Sequence, residues 1–209
     1  MSEAICIMGQ SGSGKTYSMR FLDPKETFYI DCDGKGLNWK GWKKQYNKTN
    51  KNYYRNDNPD TVLSVIKQID KEQKHVKNII VDTINGIMIG DEMRRMKEKG
   101  YDKWSDLAQT VYYIVHDANL YREDLNIILV AHIQVEDDGF TRILTNGKKL
   151  NKTQLETMLN NVLLAKRVEG EYVFEVVPSN NTVKTFNGLF ETETIPNNIV
   201  DVIKAIREF

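Results

Sequence analysis

"AICIMGQSGSGKTYS", residues 4–18, is the stretch that decides the fold. Ala4 to Met8 is a short apolar run that reads as a buried strand. It breaks at Gly9, and Gly9-Gln10-Ser11-Gly12-Ser13-Gly14-Lys15-Thr16 then matches G-x-x-x-x-G-K-[ST] in full. Lys15 to Leu22 reads as a helix, stopped by Asp23-Pro24. The glycines let the backbone curl until several N–H groups point inward. The start of the helix adds its positive dipole end. Lys15 is then placed to reach the β- and γ-phosphates of a nucleotide, and Thr16 to ligate Mg²⁺. Gly9 to Thr16, with Tyr17 directly after, are the candidate nucleotide-binding residues. The competing reading is a chance Gly/Ser-rich turn, and the flanking strand and helix argue against it.

Outward from this loop, strands alternate with helices. Thr27 to Asp31 (TFYID) reads as a second strand, and Asn78 to Asp82 and Asn126 to His132 as continuous apolar ones. Pro59 to Gln73 carries Val62, Ile66 and Ile69 at helical spacing. Asn85 to Lys99 and Trp104 to Tyr121 read as longer helices, and Thr153 to Asn160 as a short one. Residues 134–150 read as a loop or mobile hairpin. Asn161 to Val168 and Tyr172 to Val177 read as antiparallel strands around Gly170. Pro196 to Phe209 reads as a closing amphipathic helix with Pro near its first turn. The pattern predicts an α/β P-loop NTPase core spanning 1–209 as a single domain. Its sheet is mainly parallel and twisted, with helices on both faces and antiparallel strands toward the C-terminus.

Composition narrows the class. The chain has 209 residues, 40% hydrophobic and 28% charged, enough for a buried core. Lys plus Arg total 29 and so do Asp plus Glu, so any basic site must be local. Cys6 and Cys32 sit in strand-like runs and read as buried free thiols of a reducing compartment. With no leader-like segment and no run of ~18 apolar residues, the expectation is a cytoplasmic protein without a membrane partner.

Asp82 ends the strand Ile79-Ile80-Val81, the position at which P-loop proteins hold the Mg²⁺ water shell. The next residue is Thr83. Motor ATPases of the AAA+ and ABC kinds resemble each other in placing a catalytic Glu there, so a hydrolytic base must come from elsewhere. Asp31 and Asp33 follow the second strand. Residues two apart on an extended chain face the same side, so the pair could orient a water beside the P-loop. Equally, both could cap the turn into Gly34.

These residues resemble a family. "YIDCDG" looks like the RecA/Rad51-type segment in which Ile-Asp-x-Glu carries the catalytic carboxylate, and Asp33 falls on that position. "IILVAHIQ" looks like the RecA strand that ends in a γ-phosphate-sensing Gln, and His132 falls on it, with Gln134 two residues later. A His there, with an ordinary pKa of about 6.5, can donate in either charge state. More closely, nearly the whole chain is similar to the small phage RecA-like ATPases, nucleotide-binding proteins tied to single-strand annealing and recombination. "VKTFNGLFETETIPNNIVDVIKAI" looks like their ending. The departures are Asp33 for Glu and His132 for Gln.

The resemblance implies an ATPase, with ATP and Mg²⁺ as cofactors, that couples nucleotide state to single-stranded DNA. Lys15, Asp33 and His132 would be catalytic, and Thr16 and Asp82 would hold the metal. The DNA-binding loops would be segments 90–103 and 134–150, with Arg94, Arg95, Lys97, Lys99, Phe140, Arg142, Lys148 and Lys149. A second aromatic and basic stretch, Lys35 to Arg55, interleaves Trp39, Trp42, Tyr46, Tyr53 and Tyr54 with lysines, which suits a single-strand platform; the competing reading, aromatics packed on the core under solvated lysines, is the stronger one for Trp39 and Trp42. Assembly into a ring or filament would bring a neighbour's cation to the γ-phosphate, with Lys166, Arg167 and Lys184 as candidates. A single-strand DNA-binding protein is a further expected partner, and the host cytoplasm the location of a phage-encoded chain.

Rival readings are fewer in support. A small-molecule kinase needs an arginine-rich lid, and segment 134–150 has only Arg142. A helicase loader of the AAA+ kind is disfavoured by Thr83. A GTPase switch needs Asn-Lys-x-Asp at a strand end, and "NKTN" and "NKTQ" are not that motif. A DNA-binding module whose nucleotide site only sets shape or assembly survives alongside the ATPase.

Overall fold

Each side of the first strand feeds a different core. In β1 (Glu3–Gly9), Ala4, Cys6 and Met8 point into one apolar cluster and Ile5 and Ile7 into the other. Both faces are therefore covered, and the strand reads apolar throughout rather than alternating. The computed structural model describes residues 1–146, 152 and 154–209.

The remaining strands are β2 (Thr27–Asp31), β3 (Tyr53–Arg55), β4 (Asn78–Asp82) and β5 (Asn126–Val135). Then come β6 (Thr141–Ile143), β7 (Asn161–Val168), β8 (Glu171–Glu175) and β9 (Thr194–Pro196). Among the described residues they form a nine-stranded sheet in the order β3-β2-β4-β5-β1-β7-β8-β9, with β6 paired to β5. Strands β3 to β7 of that order are parallel; β8 and β9 close it antiparallel. The expected α/β class with a C-terminal antiparallel edge is what forms.

Among the described residues the α-helices include α1 (Trp42–Gln45), α2 (Pro59–Glu72), α3 (Ile84–Arg94), α4 (Tyr101–Asp117) and α5 (Ile199–Glu208). Ile66 and Ile69 of α2, Ile87 and Met88 of α3, and Ile114 of α4 fill one core. Val202 and Ile206 of α5, with Met19 and Tyr46, fill the other. No helix among the described residues is long and apolar enough to cross a membrane.

Several boundaries differ from the sequence reading, each for a local reason. The segment after the P-loop is a 3₁₀ helix over Thr16–Phe21, because the Ser18 hydroxyl and the Arg20 guanidinium bond carbonyls three residues back. Pro196 lies outside the last helix. It ends edge strand β9, where a missing N–H is tolerated, and the Asn198 side chain caps α5 by accepting from the Val200 N–H at 3.1 Å. Segment 134–146 is partly ordered: Ile133 to Val135 pair with Thr141 to Ile143 as a hairpin. Helix α3 ends at Arg94, not Lys99, and strand β8 at Glu175, not Val177. The edge strand β3 lies in a stretch too polar to read as one.

Candidate functional site

The C-terminal ends of β1, β2, β4 and β5 meet at one edge of the sheet, because these strands are adjacent and parallel. In register, Gly9 lies beside His132, Asp82 beside Val130, and Asp31 beside Asp82. Strand β5 thus separates the P-loop strand from the strand that carries Asp82.

The loop after β1 needs its glycines for distinct reasons. A Cβ on Gly9 would stand 2.5 Å from Ser13 Oγ and 2.6 Å from the Ala165 carbonyl. Gly14 has φ +96°, a left-handed conformation, with the Tyr172 ring against it. The Lys15 ammonium is buried and donates to the Gly9 and Gln10 carbonyls at 2.7 Å each. Burial brings its pKa down to about 8, and Asp82 opposes that fall. Tyr17 packs on Tyr172, with Arg20 over its ring.

Asp82 is buried at the end of β4. Its Oδ2 accepts from the Thr16 hydroxyl at 2.7 Å and from the Tyr29 hydroxyl. Its Oδ1 is buried with no hydrogen-bond partner. Burial, the largest influence, raises the Asp82 pKa against the two donors. An unsatisfied carboxylate oxygen beside a threonine hydroxyl is a donor set suited to a hard divalent cation. The residues therefore fit Mg²⁺. The Asp82–Thr83 peptide is cis.

The two aspartates of "DCD" divide the work that the sequence left shared. Asp31 is the cap: its carboxylate accepts from the Gly34 and Gly36 N–H groups at 2.8 and 2.9 Å and from the Tyr53 hydroxyl at 2.5 Å. Asp33 is past the end of β2, so the same-side rule for extended chains does not reach it. It turns to Thr83, which donates to Oδ1 at 2.7 Å, and to Lys35, which donates to Oδ2 at 2.5 Å. Burial pushes the Asp33 carboxyl up, but those two donors carry it below its ordinary value. Thr83 also caps α3 by accepting from the Gly86 N–H at 3.0 Å. The position that lacks a Glu therefore holds the carboxylate that β2 supplies.

His132 is half-buried on β5. Its backbone N–H donates to the Asn85 side chain at 2.7 Å, and the Asn85 side chain donates in turn to the Leu144 carbonyl. Burial and then Lys15 hold its imidazole pKa below the ordinary value. Gln134 points away, donating to Glu136. Sequence reasoning missed Tyr29 and Lys35. The signals were a hydroxyl one strand over from Asp82 and a lysine between two glycines.

The basic candidates are mostly engaged. Arg94 pairs with Asp57 at 2.7 Å, and Arg95 with Glu98 and Asp106 at 2.8 and 3.1 Å. Arg142 pairs with Glu136 and lies 5.4 Å from the centroid of the Phe140 ring. Lys97 and Lys99 are exposed and in no ion pair among the described residues. Lys148 and Lys149 lie outside the described residues. The Asn146 side chain donates to Glu92 at 2.9 Å, so the end of the hairpin touches α3. Of the aromatic stretch, Trp39 and Tyr46 are core residues and Trp42 and Tyr53 pack against them; Tyr54 is exposed.

Lys166 and Arg167 border a cavity of about 440 Å³ that is also lined by Gln10 to Ser13 and by Ile133, Val135 and Thr141. Both have intrachain partners: Lys166 pairs with Glu175, and Arg167 donates to the Gly170 carbonyl. Lys184 is not at a strand end. Its backbone bridges to Val162, and burial lowers its pKa.

Residues 2–185 match the family described as "AAA domain". No curated protein matches the chain. Solved structures similar to it include a KaiC-like protein from the hyperthermophilic archaeon Pyrococcus horikoshii OT3, at 15% identity with a TM-score of 0.46. The likeness covers 82% of this chain and 76% of that one.

Proposed function

We propose, for a chain that belongs to the AAA domain family of P-loop ATPases, that it binds and hydrolyses ATP and couples nucleotide state to single-stranded DNA. The observation that carries hydrolysis is the meeting of buried Lys15, the Thr16–Asp82 pair with its orphan oxygen, and Asp33 at one sheet edge. The resemblance to small phage RecA-like ATPases carries the DNA part. It extends to annealing or recombination in a phage-infected cell, to a ring or filament of copies, and to a single-strand DNA-binding protein as partner. The basic segment after α3 and the hairpin it touches are the proposed DNA face.

In this reading the P-loop N–H groups and Lys15 hold the β- and γ-phosphates in line for attack. Mg²⁺, held by Thr16 and Asp82, would neutralise charge on the phosphate oxygens. Asp33 orients the attacking water and accepts its proton. His132, neutral at pH 7, lies near Lys15 as a hydrogen-bond donor to the γ-phosphate and reports its presence to Asn85 and the hairpin.

Phosphate release from ATP, with and without single-stranded DNA, tests the proposal in the wild type, Lys15→Ala and Asp33→Asn. DNA should stimulate release, and both substitutions should abolish it. A second reading is favoured by the two donors already on Asp33: a nucleotide-gated DNA-binding module without turnover. ATP-dependent DNA binding with no phosphate release would select it. DNA without effect on activity or assembly would remove the DNA part altogether.

A further inference from the structure

Lys35 stands in the turn that carries Asp33, between Gly34 and Gly36, whose φ angles are +69° and +79°. Its ammonium lies 2.5 Å from Asp33 Oδ2, yet its side chain is 53% exposed. Asp33 is its hydrogen-bonding partner among the described residues. The backbone of the turn is held independently, by Asp31 accepting from Gly34 and Gly36. The lysine side chain can therefore swing while the turn stays fixed. Asp33 accepts from Thr83, the neighbour of the Asp82 that Thr16 of the P-loop bonds, so the ammonium stands at the same sheet edge as the P-loop.

An ion pair this exposed is weakly held. A terminal phosphate offers Lys35 more negative charge than one carboxylate, at a site already lined by Lys15. We propose that Lys35 is a second phosphate-binding lysine, supplied in cis, that leaves Asp33 for the γ-phosphate of ATP and so frees Asp33 Oδ2 to act as base. The inference rests on the ATPase reading above. In the step itself, the water oxygen forms a bond to the γ-phosphorus as the bond to the β,γ-bridging oxygen breaks. The electron pair leaves with ADP, and the water proton passes to Asp33 Oδ2. ADP lacks the γ-phosphate, so with ADP bound Lys35 stays on Asp33 and the base stays occupied. The cation that filament-forming ATPases take from a neighbour is here in the same chain. That fits the intrachain engagement of Lys166 and Arg167.

The test is a binding cycle read by titration calorimetry with Mg²⁺, using ADP and a non-hydrolysable ATP analogue. Lys35→Ala should weaken the analogue about tenfold, the loss of one charge-assisted contact, and leave ADP within about twofold. Lys35→Arg should recover most of the loss. Asp33→Asn should tighten the analogue when Lys35 is present and have no effect on it in the Lys35→Ala background. A structural role for Lys35 would weaken both nucleotides alike, and that result overturns the inference. Equal effects of Asp33→Asn with and without Lys35 would overturn it too. Phosphate release by the wild type separates this inference from the reading beneath it. Turnover with a flat cycle removes Lys35 alone. The expected cycle without turnover removes hydrolysis and keeps Lys35 as a γ-phosphate ligand.

Discussion

The phosphate edge of the sheet and the basic face after α3 both hold charged side chains, but they hold them differently. At the phosphate edge Asp82, Asp33 and Lys15 are buried or half-buried, and each has named hydrogen-bond partners: Asp82 accepts from Thr16 and Tyr29, Asp33 accepts from Thr83 and the exposed Lys35, and Lys15 donates to two carbonyls. From the end of α3 onward the charges are on the surface: Arg94 pairs with Asp57 and Arg95 with Glu98 and Asp106, while Lys97 and Lys99 are in no ion pair among the described residues. Burying charge is costly unless a function or a partner compensates. The first region therefore constrains function strongly, and the second constrains it weakly.

The sharpest way to break that contrast is Lys15→Ala. If burial of this cation serves phosphate binding, ATP affinity should fall about 100-fold or more, the scale of a lost buried charge contact. The fold should survive, because a desolvated ammonium is removed. The wild type carries a matching pH signature. Burial holds the Lys15 pKa at about 8, below its ordinary value. Between those two values the unfolded chain binds more protons than the native one, so stability should rise with pH across that window. ATP affinity should move the opposite way, falling above about pH 8 as the lysine loses its proton. Calorimetry in buffers of different ionisation enthalpy would record proton uptake on binding there. Affinity that is flat from pH 7 to about 9.5 would mean that Lys15 does not meet the phosphates.

A smaller effect is expected one residue further from the ligand. Tyr29→Phe removes a hydroxyl donor from buried Asp82 and leaves Thr16 as its remaining hydrogen-bonding side chain. The loss should cost about 1–3 kcal/mol of stability at neutral pH, the range for a buried charged acceptor losing a donor. Asp82 already has a raised native pKa. The native state therefore binds more protons than the unfolded chain in the window above the ordinary carboxylate range. Stability from this group is lost as pH rises through that window. Tyr29→Phe should extend the window upward, so its penalty should shrink in acid. Urea unfolding without Mg²⁺ in mild acid and at neutral pH measures this. An equal penalty at both would assign Tyr29 to packing alone.

The same contrast explains what the sequence disclosed. The P-loop, Asp82 and the parallel core were legible because they rest on local patterns: a fixed motif, apolar runs and a strand end. Asp31 and Asp33 were legible as a pair but not in their division of labour, which depends on where β2 stops and on the backbone amides of Gly34 and Gly36. Tyr29 and Lys35 were missed because their contacts with Asp82 and Asp33 come from register and from a turn. Tyr29 reaches Asp82 only because β2 lies beside β4. Edge strand β3 hid in a polar, lysine-rich stretch because an edge needs few apolar residues. Core packing was the stronger reading for Trp39, and Trp39 and Tyr46 are core residues, since aromatic residues between lysines can still face inward.

The smallest expected effects lie on the basic face and can separate paired cations from free ones. If this face meets the phosphates of single-stranded DNA, each free cation that does so should release a counterion. The slope of log affinity against log salt should then fall by about 0.7 for each one removed. Lys97→Ala and Lys99→Ala should each do so. Arg94→Ala and Arg95→Ala should not, because their charges are spent on Asp57, Glu98 and Asp106, and stability should change by no more than about 1 kcal/mol. Fluorescence titrations of a labelled single strand at several salt concentrations would read all four. If the arginines lower the slope as much as the lysines, their ion pairs open on binding DNA. The surface would then be a switched site, as constrained in its way as the phosphate edge. If none of the four changes the slope, the face after α3 is a solvated surface and the DNA contact must lie elsewhere on the chain.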